Sequence, residues 1–288
     1  MTIKNAKTYY ERMESSLGDK IKIVDNVKSG NILEVGFGSG SLLKVLDELG
    51  NVVYGIDNSE ESVRRAEELG IDNVFLGDAN DIINIFEGQM FDTIIFCSMI
   101  HEVFSYKRNE LSDKPLYLAN LEASRHVGDL LNQAYTLLKD DGKIIIRDGV
   151  KVPIYKENNL TTFTLDNEEL FMLDDYMEFW ANGANGYNLT QMLNNKTMVT
   201  CGLNDAMEFL YTYTWGKDSM NHERQERYGF LSLDSYKLLL EAIGFEDVNG
   251  ISYLQSGYVE NLKHVNFLDL TEVSSVLPDS NMVLVGRK

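Results

Sequence analysis

The residues best suited to bind a ligand lie in a short run from Glu34 to Gly40. The run contains one acid and three glycines, Gly36, Gly38 and Gly40, and it joins an apolar segment to a helical pattern. At such a junction the backbone N–H groups and the positive end of the helix can receive a ligand. Glycine lets that ligand approach the backbone closely, although a glycine at a turn can also be purely conformational. The run therefore predicts a binding turn.

The spacing of these glycines distinguishes between two adenosine-containing cofactors. The dinucleotide fingerprint G-x-G-x-x-G requires a glycine where this chain has Ser41, so the pattern fits NAD poorly. The carboxylate of Glu34 suits a positively charged ligand, such as the ammonium and sulfonium groups of S-adenosylmethionine (SAM), better than a pyrophosphate. A capping or solvated role is the alternative for Glu34. Together these features favour SAM.

Two further acids follow the next predicted strands. Asp57 comes about 20 residues after the glycines. In both NAD and SAM enzymes an acid at this place can accept hydrogen bonds from the two ribose hydroxyls. Asp78 follows the third strand, where a carboxylate can accept a hydrogen bond from the amino group of adenine. This third element shifts the balance further toward SAM.

In this order the motifs resemble those of the class I SAM-dependent methyltransferases. The family's glycine motif is similar to residues 34–40, its ribose acid to Asp57 and its adenine-side acid to Asp78. The resemblance extends over about residues 30–148 and 231–288, including the fourth-strand motif at 91–98, the "LL-x-x-G-G" lead at 137–142 and a final helix with its "G-F" step at 232–245. Phe37 and Asp141 depart mildly from the family pattern.

The resemblance implies a cofactor and further contacts to it. SAM is the expected cofactor and S-adenosylhomocysteine (SAH) the expected product. Asn58, Ala79 and Ser98 are expected to contact the cofactor beside the residues already named.

The elements that must position these residues alternate between strand and helix. Strands are predicted at 31–36, 52–56, 74–76, 91–97 and 143–147, and helices at 41–49, up to Gly70 and at 121–138. Asn58 and Glu61 are expected to form the capping box of the second helix. A helix at 233–243, an apolar stretch around 248–254 and a strand at 282–285 complete the pattern. Continuous apolar strands alternating with helices predict an α/β fold with a doubly wound, mostly parallel sheet, seven-stranded in the resembled family.

The domain organisation follows from where the alternation of strands and helices stops. Residues 1–28 are predicted to form a helical lead, and residues 29–149 and 231–288 the SAM-binding Rossmann-like domain. Residues 150–230, rich in aromatic side chains, are predicted to be an inserted lid or substrate region between strand 5 and the following helix. More than half of these rings are expected to form the insertion's own core.

Candidate catalytic residues follow strands 4 and 5, because ligands of open α/β sheets bind at the carboxyl ends of the strands. His101 has a suitable pKa for a general base, and Glu102 and Asp148 are the other candidates. A packing or loop-shaping role is the alternative, since methyl transfer from SAM often needs only alignment and exclusion of water. The histidines show no H-x-x-x-H or H-x-x-E spacing, so no metal site is expected.

Candidate substrate contacts lie near the same edge and in the insertion. Charged groups of the insertion could hold an anion of the substrate, although solvated salt bridges are the alternative. The candidates are Tyr106, Arg147, His222, Arg224 and Tyr228.

Composition bounds the class of acceptor. The chain has 26 Lys and Arg against 45 Asp and Glu, a formal charge of −19, which repels polyanions. We therefore expect methylation of an oxygen or nitrogen of a small molecule or protein, with a nucleic-acid methyltransferase and a non-catalytic SAM-binding partner protein as alternatives. Two distant cysteines, a polar start and no long apolar run predict a soluble, cytoplasmic protein without a membrane partner. The oligomeric state stays open.

Overall fold

The structure is a computed structural model that describes residue 10, residues 17–180 and residues 186–288. Its strands, in chain order, are β1 (Asn31–Val35), β2 (Val52–Asp57), β3 (Val74–Leu76), β4 (Phe91–Cys97), β5 (Leu138–Gly149), β6 (Leu160–Asp166), β7 (Asn188–Gln191), β8 (Lys196–Gly202), β9 (Glu246–Tyr253), β10 (Leu268–Asp269) and β11 (Asn281–Arg287).

Helices connect these strands, some beside the main sheet and others within the insertion. They are α1 (Leu17–Lys20), α2 (Ser41–Glu48), α3 (Glu60–Glu68), α4 (Ile82–Ile85), α5 (Ile100–Glu110), α6 (Leu116–Leu137), α7 (Asn167–Phe179), α8 (Leu203–Thr214), α9 (Met220–Glu223), α10 (Leu233–Ile243) and α11 (Ser256–Asn261). Short 3-10 turns lie at Ile21–Asn26, Ala79–Asp81, Ile154–Lys156 and Lys263–Val265. Within the described residues, no helix combines the length and apolar character that crossing a membrane requires.

The main sheet has seven strands in the order β3-β2-β1-β4-β5-β11-β9. The first five strands run parallel, and β11 is antiparallel to both β5 and β9. This confirms the predicted doubly wound, mostly parallel sheet. The strand order reverses between β1 and β4, where a crevice opens at the carboxyl ends of the strands.

The apolar strands are buried because both faces of the sheet are covered. Leu33 of β1 and Ile94 of β4 pack on the side of α6 and α10, whereas Ile32 and Ile95 pack on the side of α2 and α3. Successive side chains of a strand point to opposite faces, so an unbroken apolar run suits a central parallel strand.

Four local features differ from the predictions. Helix α6 begins at Leu116 and β5 at Leu138, so the helix starts earlier and the strand is longer than expected. Helix α5 was not expected. The capping box of Asn58 and Glu61 is wrong, because Ser59 is the N-cap of α3 and its side chain accepts a hydrogen bond from the backbone N–H of Ser62.

The insertion is built around a second, antiparallel sheet with the strand order β10-β6-β8-β7. Helices α7 and α8 pack on it, and its core contains most of the aromatic rings of the insertion, among them Phe163, Tyr176, Trp180 and Tyr211. The sequence predicts that residues 231–288 belong wholly to the Rossmann-like domain, but β10 pairs with β6 and Phe267 lies in this second core. The chain after β9 therefore covers the free edge of β6 before it returns as β11.

Candidate functional site

A cavity of about 1040 Å³ lies at the carboxyl ends of β1, β2, β4 and β5, where the strand order reverses. One end is lined by the glycine turn and the acids that follow β2 and β3, and the other end by α5 and part of the insertion. We call them the cofactor end, which contains Gly36, Asp57 and Asp78, and the acceptor end, which contains His101 and Glu226.

The glycine turn requires glycine for two reasons. Gly36, Gly38 and Gly40 have φ angles of 70°, 57° and 75°, in the left-handed region that other residues avoid. A Cβ atom on Gly36 would lie 2.9 Å from Cβ of Met99, so only glycine fits at this position. Gly36 and Gly38 line the cavity, whereas Gly40 faces Ala66 of α3 and caps α2.

Asp57 joins the glycine turn to the start of α3. Its Oδ2 atom accepts a hydrogen bond of 2.9 Å from the backbone N–H of Gly38, and its Oδ1 atom accepts one of 2.9 Å from that of Ser59. Burial raises the pKa of the Asp57 carboxyl despite these bonds. Asn58 also lines the cavity, so both predicted residues at the end of β2 lie at its wall.

Asp78, Ala79 and Ser98 line the cavity as well. One oxygen of Asp78 accepts hydrogen bonds of 2.8 Å from both the backbone and the side chain of Asn80, which fixes the carboxylate at the rim. Ser98 has a φ angle of 59°, and its hydroxyl accepts a hydrogen bond from Arg147.

Glu34 is buried immediately before the glycine turn. It is 2% exposed, and its Oε2 atom has no hydrogen-bond partner among the described residues. Burial raises the pKa of this carboxyl to about 8, with the positive charge of Lys20 opposing the shift and the charge of Asp57 adding to it. A buried carboxyl with an unused oxygen is able to bind a cationic group.

His101 is held by Asp148 across the crevice. Its Nδ1 atom lies 2.5 Å from Oδ1 of Asp148, whose Oδ2 atom accepts hydrogen bonds of 2.8 and 3.1 Å from the backbone N–H groups of Ile100 and His101. The carboxylate from β5 thus caps α5, which has no side-chain cap of its own. The arrangement directs the other ring nitrogen, Nε2, toward Glu226, whose Oε2 atom lies 3.3 Å away.

The acceptor end is rich in buried carboxyl groups. Glu226 accepts a hydrogen bond of 3.3 Å from the hydroxyl of Tyr106 and lies 3.7 Å from Nε2 of His222. Glu223 accepts a hydrogen bond from the hydroxyl of Tyr228, whose ring centroid is 4.8 Å from that of His101. Glu102 lines the same end.

Burial and mutual repulsion shift the pKa values of these groups upward. Burial, together with the charge of Glu226, raises the pKa of Glu102 to about 8, and burial also raises that of Glu223 well above its usual range. Burial disfavours the charged form of His101, but Asp148 and Glu226 outweigh it and raise the pKa of the imidazole. The acceptor end therefore favours positive charge.

Residues 222–229 reach this end because hydrogen bonds hold this segment to α5 and α8. The hydroxyl of Ser105 accepts a hydrogen bond of 2.8 Å from the backbone N–H of Arg227, and Asn109 donates one of 2.9 Å to the carbonyl of Gln225. The buried Glu208 accepts hydrogen bonds of 3.0 and 2.7 Å from the backbone N–H groups of Tyr228 and Gly229. These contacts hold the segment so that Glu226 lies beside His101.

The predicted substrate residues divide into two groups. Tyr106, His222 and Tyr228 line the cavity. Arg147 also lines it, but its guanidinium pairs with Asp19, and Arg224 pairs with Asp175 outside the cavity lining. The expected grip on a substrate anion by Arg224, Arg227 or His222 stays a prediction. In the structure Nε2 of His222 lies 3.7 Å from a carboxylate oxygen of Glu226, and Arg224 pairs with Asp175.

Glu223, Glu226 and Glu208 were missed as functional candidates. A signal for the first two exists in the sequence, since they lie three positions apart and would share a helical face beside His222. The alternating charge of residues 222–227 concealed that signal, because such runs usually form solvated salt bridges.

Comparisons with known proteins identify relatives of the chain. Residues 26–197, more than half of the chain, match the family model described as a methyltransferase domain. An uncharacterized methyltransferase from Geobacillus sp. (strain WCH70) is 24% identical over 192 residues, which cover 57% of this chain and 86% of that protein. One from Alkaliphilus oremlandii (strain OhILAs) is 28% identical over 139 residues, covering 48% of this chain and 55% of that protein. The crystal structure of a SAM-dependent methyltransferase from Archaeoglobus fulgidus has the same fold, with a TM-score of 0.52 and 14% identity over 97% of this chain and 94% of that chain.

Proposed function

The chain belongs to the methyltransferase domain family, and we propose that it transfers the methyl group of SAM to an oxygen or nitrogen of a small-molecule or protein acceptor. Family membership confirms the methyltransferase expected from the sequence. SAM, the expected cofactor, is the methyl donor of the enzymes whose fold the chain shares. The observation that carries the proposal is a continuous cavity that joins the glycine turn and Asp57 to His101.

The residues at the cofactor end fit SAM. Glu34 does not itself line the cavity, but it is buried directly before the glycine turn, and its unpartnered oxygen supports a role toward the ammonium group. Gly36 and Gly38 line the cavity without a side chain. Asp57, Asp78 and Ser98 line the cavity, which supports a role for Asp57 as acceptor of hydrogen bonds from the ribose hydroxyls and for Asp78 and Ser98 as contacts to the rest of the cofactor. When bound, SAM supplies a methyl group already activated by its sulfonium.

The acceptor end supplies orientation and a route for a proton. Asp148 acts through His101 as a positioning residue, since it holds the ring by Nδ1 and leaves Nε2 toward the cavity. Glu102 and Glu226 lie beside that nitrogen, and the aromatic rings of Tyr106 and Tyr228 line the wall. The polar side chains can align an acceptor, and the aromatic rings around them can exclude water from it.

The same carboxyl groups disfavour a nucleic acid as the methyl acceptor. A nucleic acid would bring phosphates toward Glu102, Glu223 and Glu226, and binding of nucleic acids depends on neutralising those phosphates with cations. A formal charge of −19 adds to the repulsion. These features support a small molecule or a protein side chain as the acceptor.

Calorimetry with SAM and SAH tests the proposal. We expect wild-type protein to bind both, Asp57→Asn and Gly38→Arg to lose most of the affinity, and Asp47→Asn, on the exposed face of α2, to retain it. Methyl release is then measured across amines, phenols and peptides. Absence of SAH binding to folded wild-type protein, or methyl transfer only to RNA or DNA, would contradict the proposal.

A further inference from the structure

We propose that His101, Glu102 and Glu226 form a binding site for a divalent transition-metal ion at the acceptor end of the cavity. The site itself stands on the donor geometry below, and only the role of the ion in catalysis rests on the proposed function. No metal site is expected from the sequence, because Glu226 lies more than a hundred residues after His101 and Glu102 along the chain.

Three donor atoms converge on one point of the cavity wall. One ligand atom each from His101, Glu102 and Glu226 lies within 4.8 Å of the other two. Two of these residues start α5, and the third lies in residues 222–229, which Ser105 and Glu208 hold in place. One imidazole nitrogen with two carboxylate oxygens is a ligand set that suits ions such as Mn²⁺ and Zn²⁺.

The surroundings of His101 match those of a ligating histidine. A metal-bound histidine normally donates its other ring N–H group to a carboxylate, which fixes the tautomer and the orientation of the ring. Asp148 occupies that position at 2.5 Å from Nδ1, and its other oxygen is held by the backbone N–H groups of Ile100 and His101. Nε2 is therefore the nitrogen presented to Glu226.

Glu223 gives a second, independent indication of a cation. Its side chain is 2% exposed and lines the cavity, and its Oε1 atom has no hydrogen-bond partner among the described residues. A buried, unpartnered carboxylate oxygen beside two more carboxylates is costly unless positive charge is supplied. A metal ion with its bound water would supply both the charge and a hydrogen-bond donor to Glu223.

An ion at this place has a defined use in methyl transfer. A hydroxyl of the acceptor that binds the ion loses its proton to solvent more readily. Its oxygen then forms the new O–C bond while the C–S bond of SAM breaks, and the sulfur keeps the electron pair to give neutral SAH. The Nε2 lone pair of His101 would bind the ion, so His101 would act as a ligand and not as a base.

The test uses the full-length protein, stripped with EDTA and titrated by calorimetry with MnCl2 and, separately, with ZnCl2. We expect one ion per chain and at least about tenfold weaker binding in Glu226→Gln and Glu102→Gln. Glu68→Gln, on the exposed end of α3, serves as the matched control and should bind like wild type. Circular dichroism melts establish that each variant is folded. If Glu226→Gln does not fold, the comparison is made with Glu102→Gln.

The outcomes separate this inference from the proposed function. Equal affinity of wild type and both variants for each ion, or no binding of either ion, overturns the metal site. A loss in the variants that appears only with an alkylammonium probe, such as tetramethylammonium chloride, overturns it as well and assigns the carboxylates to an organic cation. Binding of SAH is measured in parallel, so its failure counts against the proposed function alone.

Discussion

Nδ1 of His101 lies 2.5 Å from Oδ1 of Asp148, and this contact ties the end of β5 to the first turn of α5. The same carboxylate accepts from the backbone N–H groups of Ile100 and His101. One buried side chain therefore both starts a helix and sets the direction of the ring that faces the acceptor.

Asp148→Asn should affect activity far more than cofactor binding. The amide keeps the shape but loses the charge that favours the Nδ1–H tautomer, so Nε2 would no longer be reliably presented to the cavity. We expect methyl transfer to fall about 10²-fold and the free energy of unfolding to fall by about 1–3 kcal/mol. Single-turnover rates and denaturant unfolding measure the two effects, and Asp129→Asn, exposed on α6, is the control. Wild-type turnover in a folded Asp148→Asn protein would contradict the assigned role.

Gly36→Ala and Gly50→Ala form a matched pair at the glycine turn. Both residues have left-handed φ angles, 70° and 86°, but an added Cβ meets Met99 at 2.9 Å in the first case and nothing within 4 Å in the second. Gly50→Ala should cost about 1–2 kcal/mol of stability from backbone strain alone and leave SAH affinity unchanged. Gly36→Ala should cost more and weaken SAH binding. Thermal unfolding and calorimetry make the comparison, and equal effects in both variants would argue against a binding role for the turn.

The features predictable from sequence are those set by neighbouring residues. The sheet strands are unbroken apolar runs because both faces are covered, as Ile32 and Leu33 show by packing in opposite cores. Asp57 is the last residue of β2 and Asp78 follows the end of β3 by two residues, so their place at the carboxyl ends of the strands follows from strand direction alone.

The acceptor end could not be predicted in the same way. Helix α5 has no local cap and depends on Asp148, 48 residues away along the chain. Glu226 meets His101 only because Ser105 and Glu208 fasten residues 222–229 to the rest of the fold. Both contacts join segments whose own sequences give no sign of the partner, so only the tertiary structure reveals the carboxyl cluster.

Glu208→Gln should loosen residues 222–229 without disturbing the cofactor end. Both carboxylate oxygens of Glu208 accept backbone N–H groups, and the amide of Gln would set a donor against one of them. We expect a loss of about 1–3 kcal/mol in stability and faster amide hydrogen exchange in this segment. SAH affinity should be unchanged while methyl transfer falls. Glu178→Gln, exposed on α7, is the control, and unchanged exchange in the segment would show that Glu208 does not hold it.

The stability of the protein without cofactor should depend on pH through Glu34. Its pKa is 4.5 as an ordinary carboxyl and about 8 when buried in the folded chain. Between these values the unfolded chain releases the proton while the folded chain retains it, so this group's contribution to stability falls as the pH rises. At about 1.4 kcal/mol per pKa unit, the loss amounts to a few kcal/mol once the pH passes the folded value.

Glu34→Gln removes that dependence because the amide does not titrate. The variant should gain stability relative to wild type as the pH rises from 4.5 to about 8, and the two should converge at the acidic end. Urea unfolding across this range measures the difference, with Glu48→Gln, exposed on α2, as the control. Calorimetry adds a second readout: a cationic ligand that ionises Glu34 releases a proton on binding to wild type, visible as heats that differ between buffers, and the variant lacks this release. Parallel stability curves for wild type and Glu34→Gln would mean that the buried carboxyl is already ionised without a ligand.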